Sequence, residues 1–169
     1  MSDYRKDRSW SDQFIPSIKQ IVGPYLLVPA SLELDAHEAT DLLVFKARDV
    51  RIAARMRAAE YAAQYPFDFT IRSSRDSGVE TELSKIVSGW GDWLFYGFDG
   101  GARNVLPWWL LDLNVFRRAL HFDLASETKK IRCTKKANGD GTHLAAYDIL
   151  SFPRDLVVAS SRSIQGAAA

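Results

Sequence analysis

The chain has a single cysteine, Cys133, among its 169 residues. One cysteine excludes an internal disulfide and any zinc site built from several thiolates. No run of about eighteen apolar residues occurs, so no membrane-spanning helix is expected. The opening "MSDYRKDRSW" is polar and has no apolar core behind it, unlike a secretory signal. These absences point to a reducing cytoplasmic setting. An excess of one charge is also missing: 22 Lys and Arg face 21 Asp and Glu, for a formal net charge of +1. That balance excludes a strongly basic nucleic-acid coat protein and leaves room for a local basic face. No Gly-rich phosphate loop is present, since "DGG" and "NGDG" read as turns. The pattern assembles no Ser-His-Asp or Cys-His set.

What the chain does have is aromatic residues. They make up 12%, with five Trp, and they crowd into "GWGDWLFYGF" and "LPWWLLDL". Rings of that size bury large areas, so the core is expected there. A chain of this length is one domain with a sizeable core. The expected division is a disordered stretch at 1–10, a single α+β domain at 11–160 and a flexible tail at 161–169.

Phe14, Ile15, Ile18 and Ile21 recur at helical spacing, with Ser11 as a cap and Gly23-Pro24 as a stop. "TDLLVF" and "VRIAARMR" read as strands joined into a hairpin through "KARD". "AAEYAAQY" is a short helix or a loop. "FDFTIRS" alternates apolar and polar residues as a strand does. Ser77 and Glu80 form a capping-box pattern that opens a helix from about Ser77 to Gly89. "DWLFYGF" reads as a strand covered on both faces, and "VLPWWLLDL" as a further strand. Within the second, Trp108 and Trp109 point oppositely, which leaves one of them for a partner. "NVFRRALH" is a short helix capped by Asn114. "TKKIRCTKK" and "THLAAYDIL" flank "NGDG" as a terminal hairpin.

The charged residues set the functional options. On a strand, Arg51, Ala53, Arg55 and Arg57 share one face, while Val50, Ile52, Ala54 and Met56 share the other. A guanidinium row suits phosphate or carboxylate, or forms an ordinary solvated face. Arg72 and Arg75 stand among Ser73, Ser74 and Ser77 before a helix, as an anion site or simply a capped helix entry. "ELDAHEATD" offers Glu33, Asp35, His37, Glu38 and Asp41 as a metal loop or a solvated one. Cys133 lies among basic residues, whose charge is expected to lower its pKa.

The order of helix, antiparallel strands, helix and strand over residues 11–120 resembles the core of the restriction-endonuclease-like superfamily. That family carries an acid on one core strand and Asp/Glu-x-Lys on the next. Asp41 matches the first acid. The next strand departs from the pattern: it offers "ARMR", with Arg55 or Arg57 in the lysine place, and no carboxylate lies between Arg51 and Arg57. A second acid would come from Glu82 or Glu80 on "VETELSKI", with Lys85 three residues after Glu82, or from Glu38 upstream. The order of "EATDLL", "FTIRSSR", "TELSKI" and "GWGDWLFYG" also resembles proteins of phages and prophages.

The resemblance implies a mixed central sheet flanked by helices, with a C-terminal hairpin. It implies a nuclease-like domain that binds DNA or hydrolyses it with Mg2+. Asp41, Glu38 and Glu82 would hold the metal, and Arg55, Arg57 or Lys85 would stabilise the developing charge. Arg51, Arg55, Arg57, Arg72 and Arg75 would contact the nucleic acid. The alternative is a non-enzymatic, phage-encoded protein with a protein partner, such as an inhibitor of a host defence complex. The missing acid, the near-neutral charge and the Trp108–Trp109 pair motivate it.

Overall fold

The computed structural model describes residues 2–29, 42–44 and 50–162. The helices are α1 (Ser2–Asp12), α2 (Ile15–Val22), α3 (Glu60–Gln64), α4 (Glu82–Val87) and α5 (Leu113–Ala125). The strands are β1 (Leu27–Pro29), β2 (Leu42–Val44), β3 (Ile52–Arg57), β4 (Asp68–Arg75), β5 (Trp93–Asp99), β6 (Val105–Asp112), β7 (Cys133–Ala137), β8 (Thr142–Asp148) and β9 (Val157–Ser160). They form a four-stranded mixed sheet β3-β5-β6-β9, an antiparallel sheet β4-β8-β7 and a β1-β2 pair. The α+β class and the mixed sheet are as expected.

The aromatic runs build the centre. Leu94, Tyr96 and Phe98 of β5 enter one core cluster, and Trp93 and Phe95 enter another. This is the period-two alternation of a strand whose two faces are both buried. β6 behaves alike, with Trp109 and Leu111 on the first side and Val105 and Leu110 on the second. The first cluster is closed by Phe69, Ile71, Ala145 and Tyr147 of the antiparallel sheet and by Val115 and Phe116 of α5. The second is closed by Ile18 and Val22 of α2 and by Phe14 just before it. Each large side chain removed from water contributes roughly 1.5–3 kcal/mol, so these rings carry much of the stability. At Gly97 of β5, an added Cβ would lie 2.5 Å from the Val105 Cγ1 atom, so the sheet needs glycine there.

Several local expectations are revised. Ser2–Asp12 is helical, although 1–10 was expected to lack order. Ser11 does not cap α2; Phe14 holds the N-cap place without a side-chain bond, and a proline stands in the first turn. β2 and β3 are not hairpin partners. β2 pairs antiparallel with β1, and β3 pairs in parallel with β5, Ile52 opposite Trp93 and Arg57 opposite Phe98. The expected turn at 46–49 lies outside the described residues. The helix read from Ser77 begins at Glu82 behind Thr81, and Ser77 is exposed outside it. Asp112, not Asn114, caps α5: its Oδ1 accepts from the Asn114 and Val115 amides at 2.7 and 3.1 Å. Trp109 is fully buried, and Trp108 stacks on Phe95 at 5.9 Å, so neither stands free. The hairpin β7–β8 forms as read.

Candidate functional site

β3 is an end strand of its sheet among the described residues, and its side chains divide by parity. Ile52 and Met56 enter the α2 side of the core, while Ala53 packs against the opposite cluster. Arg55 and Arg57 share the Ala53 parity and therefore reach toward β4 and α3. The Arg55 Nη1 atom donates to Glu82 Oε2 at 2.6 Å and to the Thr70 carbonyl at 3.0 Å. The same Glu82 oxygen accepts the Arg72 amide at 3.2 Å.

Thr70 and Arg72 are two residues apart, so their main-chain groups face the same edge of β4. Arg55 and Glu82 thus supply the donor and the acceptor that a further strand would bring. Beneath them, the Tyr96 hydroxyl shares a 3.2 Å hydrogen bond with the Thr70 hydroxyl. Burial pushes the Tyr96 pKa up, so that ring stays neutral.

Arg57 has a different partner. Its guanidinium carbon lies 4.4 Å from the centroid of the Tyr61 ring. Stacking engages the face of the guanidinium and leaves its N–H edge for carboxylate or phosphate oxygens. No carboxylate lies within ion-pair distance of Arg57 or Arg72 among the described residues. The Arg72 Nε atom is enclosed and has no hydrogen-bond partner among them. Asp140, near Arg72, is held well ionised: the Thr142 hydroxyl and amide lower its pKa, and the Arg72 charge adds to this.

These groups line one cleft of about 690 Å³. Ala54 to Ala58 along and just past β3 line it, together with Tyr61, Arg72, Glu82, Asn138 and Asp140 and with Arg8, Trp10 and Asp12 of α1. Four arginines and three carboxylates face it. Arg8 pairs with Asp12 at 3.6 Å, Arg55 with Glu82, and Asp140 with Thr142. The hydroxyl leaves the Asp140 charge in place, so the lining carries a net charge of about +1. Arg57 and Arg72 are the two arginines in it with no ion-pair partner among the described residues.

Of the residues singled out in the sequence, Arg55, Arg57, Arg72 and Glu82 meet in this cleft. Arg51 does not. Its amide and Nε atoms bond to Asp92 Oδ2 at 2.9 and 3.3 Å, and its guanidinium lies over Trp90. Arg75 and Lys85 are not in the lining, and Lys85 is exposed on the last turn of α4. Glu80 is exposed ahead of that helix. Asp41, Glu38, Glu33, Asp35 and His37 lie outside the described residues. The Cys133 expectation reverses: partial desolvation pushes the thiol pKa up by more than the Tyr147 hydrogen bond and the Lys135 charge lower it.

Magnesium needs several oxygen ligands on one centre. Among the described residues, no group of three or more His, Cys, Asp or Glu is placed to hold a metal. The Glu82 oxygen that faces Arg55 already carries two hydrogen bonds. Glu82 is the one expected metal ligand that is described; Glu38 and Asp41 lie outside the described residues. Tyr61, Trp10, Asn138 and Asp140 had not been singled out. Tyr61 follows Arg57 by four residues across a strand end, a spacing with no local signature, and the others arrive from distant segments.

No family model matches the chain, and no curated protein or solved structure matches it either.

Proposed function

We propose that this chain binds nucleic acid, with its phosphates held by Arg57 and Arg72 in the cleft along β3. The observation that carries the reading is the convergence of two arginines whose hydrogen-bonding capacity is not spent on carboxylates. Arg55 supports them, because its pairing with Glu82 fixes the wall on which Arg72 stands. This is the binding half of the nuclease-like expectation. Hydrolysis would call for carboxylates beside Glu82, and the expected ones, Glu38 and Asp41, lie outside the described residues.

The test is a fluorescence-anisotropy titration of labelled DNA over a range of salt concentrations. Arg57→Ala with Arg72→Ala should weaken binding and flatten the salt dependence by about one unit of slope per lost phosphate contact. A folded double variant with wild-type affinity and slope would remove the proposal.

A protein partner is the second reading, and Trp90 favours it. That ring is 62% exposed. Its loop is held rigid by Arg117, which donates to the Ile86, Trp90 and Gly91 carbonyls, and by Arg51 on the Gly89 carbonyl. An exposed Trp on a fixed loop is the usual anchor of a protein interface. Wild-type protein that binds no nucleic acid would shift the weight to this reading.

A further inference from the structure

We infer that the cleft takes a single extended nucleic-acid strand and not a duplex. The inference rests on the phosphate-binding reading above and narrows it. Three observations point the same way.

The first is size. A volume of about 690 Å³ belongs with sites that enclose small ligands, roughly 300–1,000 Å³. A duplex is far wider, since its major groove alone spans about 12 Å. Arg57 and Arg72 are half-buried in the recess and are not spread over a broad face. A ligand must enter the cleft to meet both of them.

The second is the outer edge of β3, which no described strand pairs with. The Arg51 carbonyl accepts from the Asp92 and Trp93 amides, so it turns toward β5. Alternation along the strand then turns the main-chain groups of Ala54 and Met56 to the outer edge. Both residues line the cleft. They present N–H and C=O groups repeating every second residue, about 6.7 Å apart. The Watson–Crick edges of a duplex are spent on each other, whereas those of a single strand are free to meet such a row.

The third is composition. Tyr61, with Arg57 over one face of its ring, and Trp10, edge-on to Phe14, are both in the lining. Aromatic rings interleaved with cations are the equipment of grooves that hold single strands by stacking and by charge together.

The experiment compares three labelled probes on the full chain: a short single-stranded oligonucleotide, the same sequence as a blunt duplex, and a nucleoside monophosphate. The single strand should bind at least about tenfold more tightly than either other probe, given the usual stacking contribution per base. Its salt slope should fall by about 0.7 for each arginine removed in Arg57→Gln and Arg72→Gln. A length series on wild-type protein gives a second readout that needs no variant: affinity should level off once a few nucleotides fill the cleft. Duplex binding as tight as single-strand binding, and lost in the arginine variants, would overturn the inference and leave the phosphate reading standing. Equal affinity for the monophosphate would overturn it in favour of a small-molecule site. Binding of none of the three would overturn the phosphate reading itself, and this inference with it.

Discussion

Glu82 has two jobs that pull in opposite directions. Its carboxylate neutralises Arg55 and caps the Arg72 amide, which favours folding. It also places a negative charge in a cleft read as an anion site, which opposes binding. Glu82→Ala leaves a half-buried guanidinium and a strand-edge amide without their acceptor, so about 1–3 kcal/mol of stability should be lost. Glu82→Gln keeps an acceptor and should lose less. Glu82→Gln, which keeps the acceptor and so the wall, should bind DNA more tightly than wild type because the local charge becomes more positive. In Glu82→Ala the loosened wall offsets that gain. Urea denaturation with a parallel DNA titration checks both signs, and weaker binding by a folded Glu82→Gln protein would contradict this account. Asp68 gives a pH-dependent test. Burial raises its pKa above 3.8, and the Asp148 charge adds to the rise. A raised carboxylate binds its proton more tightly in the folded state, so ionising it opposes folding. That penalty is absent below 3.8, grows as pH rises toward the folded value, and is complete above it. Asp68→Asn should therefore melt higher than wild type at neutral pH, with the difference disappearing in strong acid.

The short helix α4 draws its anchoring from Thr81. The Thr81 hydroxyl donates to the Ser73 carbonyl at 3.1 Å, and the residue is buried. Thr81→Val removes that donor and strands a carbonyl, for a loss of about 1 kcal/mol. Ser77→Ala touches an exposed residue outside the helix and should stay within about 0.5 kcal/mol of wild type. Equal losses from the two substitutions, measured by chemical denaturation, would restore Ser77 as the helix start. The Ser77–Glu80 pattern was readable, but the chain bulges between Arg72 and Ser74 and then turns through Gly78 at φ +71° before the helix begins. The alternation in β3 correctly put Arg55 and Arg57 on one face, because side-chain parity is local. The partner of β3 was misread, because pairing with β5 depends on a crossover through β4 and α4 that no short window contains.

The two core clusters are not independent, because β5 and β6 send alternate residues into both. The double coverage of "DWLFYGF" was legible in its unbroken apolar run. The seat of Phe14 on the far side of that strand was not, since helix docking leaves no mark in either segment alone. That seat reaches the cleft. Phe14 is 1% exposed, and Trp10 meets it edge-on at 5.2 Å. The Phe14 amide donates to the Ser11 carbonyl at 3.1 Å, and its carbonyl accepts from Ile18 at 2.9 Å. α1, which carries Arg8, Trp10 and Asp12 along the cleft, therefore hangs from Phe14. Phe14→Ala should cost about 3–5 kcal/mol, the usual loss for a buried ring. Phe116→Ala, against Phe69 and Tyr147 in the other cluster, should cost a similar amount. The two variants should differ in function. Under conditions where both are folded, Phe14→Ala should bind single-stranded DNA more weakly, because its wall of the cleft is loosened, while Phe116→Ala should bind as wild type does. Both should unfold in one transition, with near-UV and far-UV circular dichroism superimposed, because the shared strands cannot lose one face and keep the other. Separate transitions would show that the α2 layer melts alone. Unchanged affinity in Phe14→Ala would show that α1 is no part of the binding cleft.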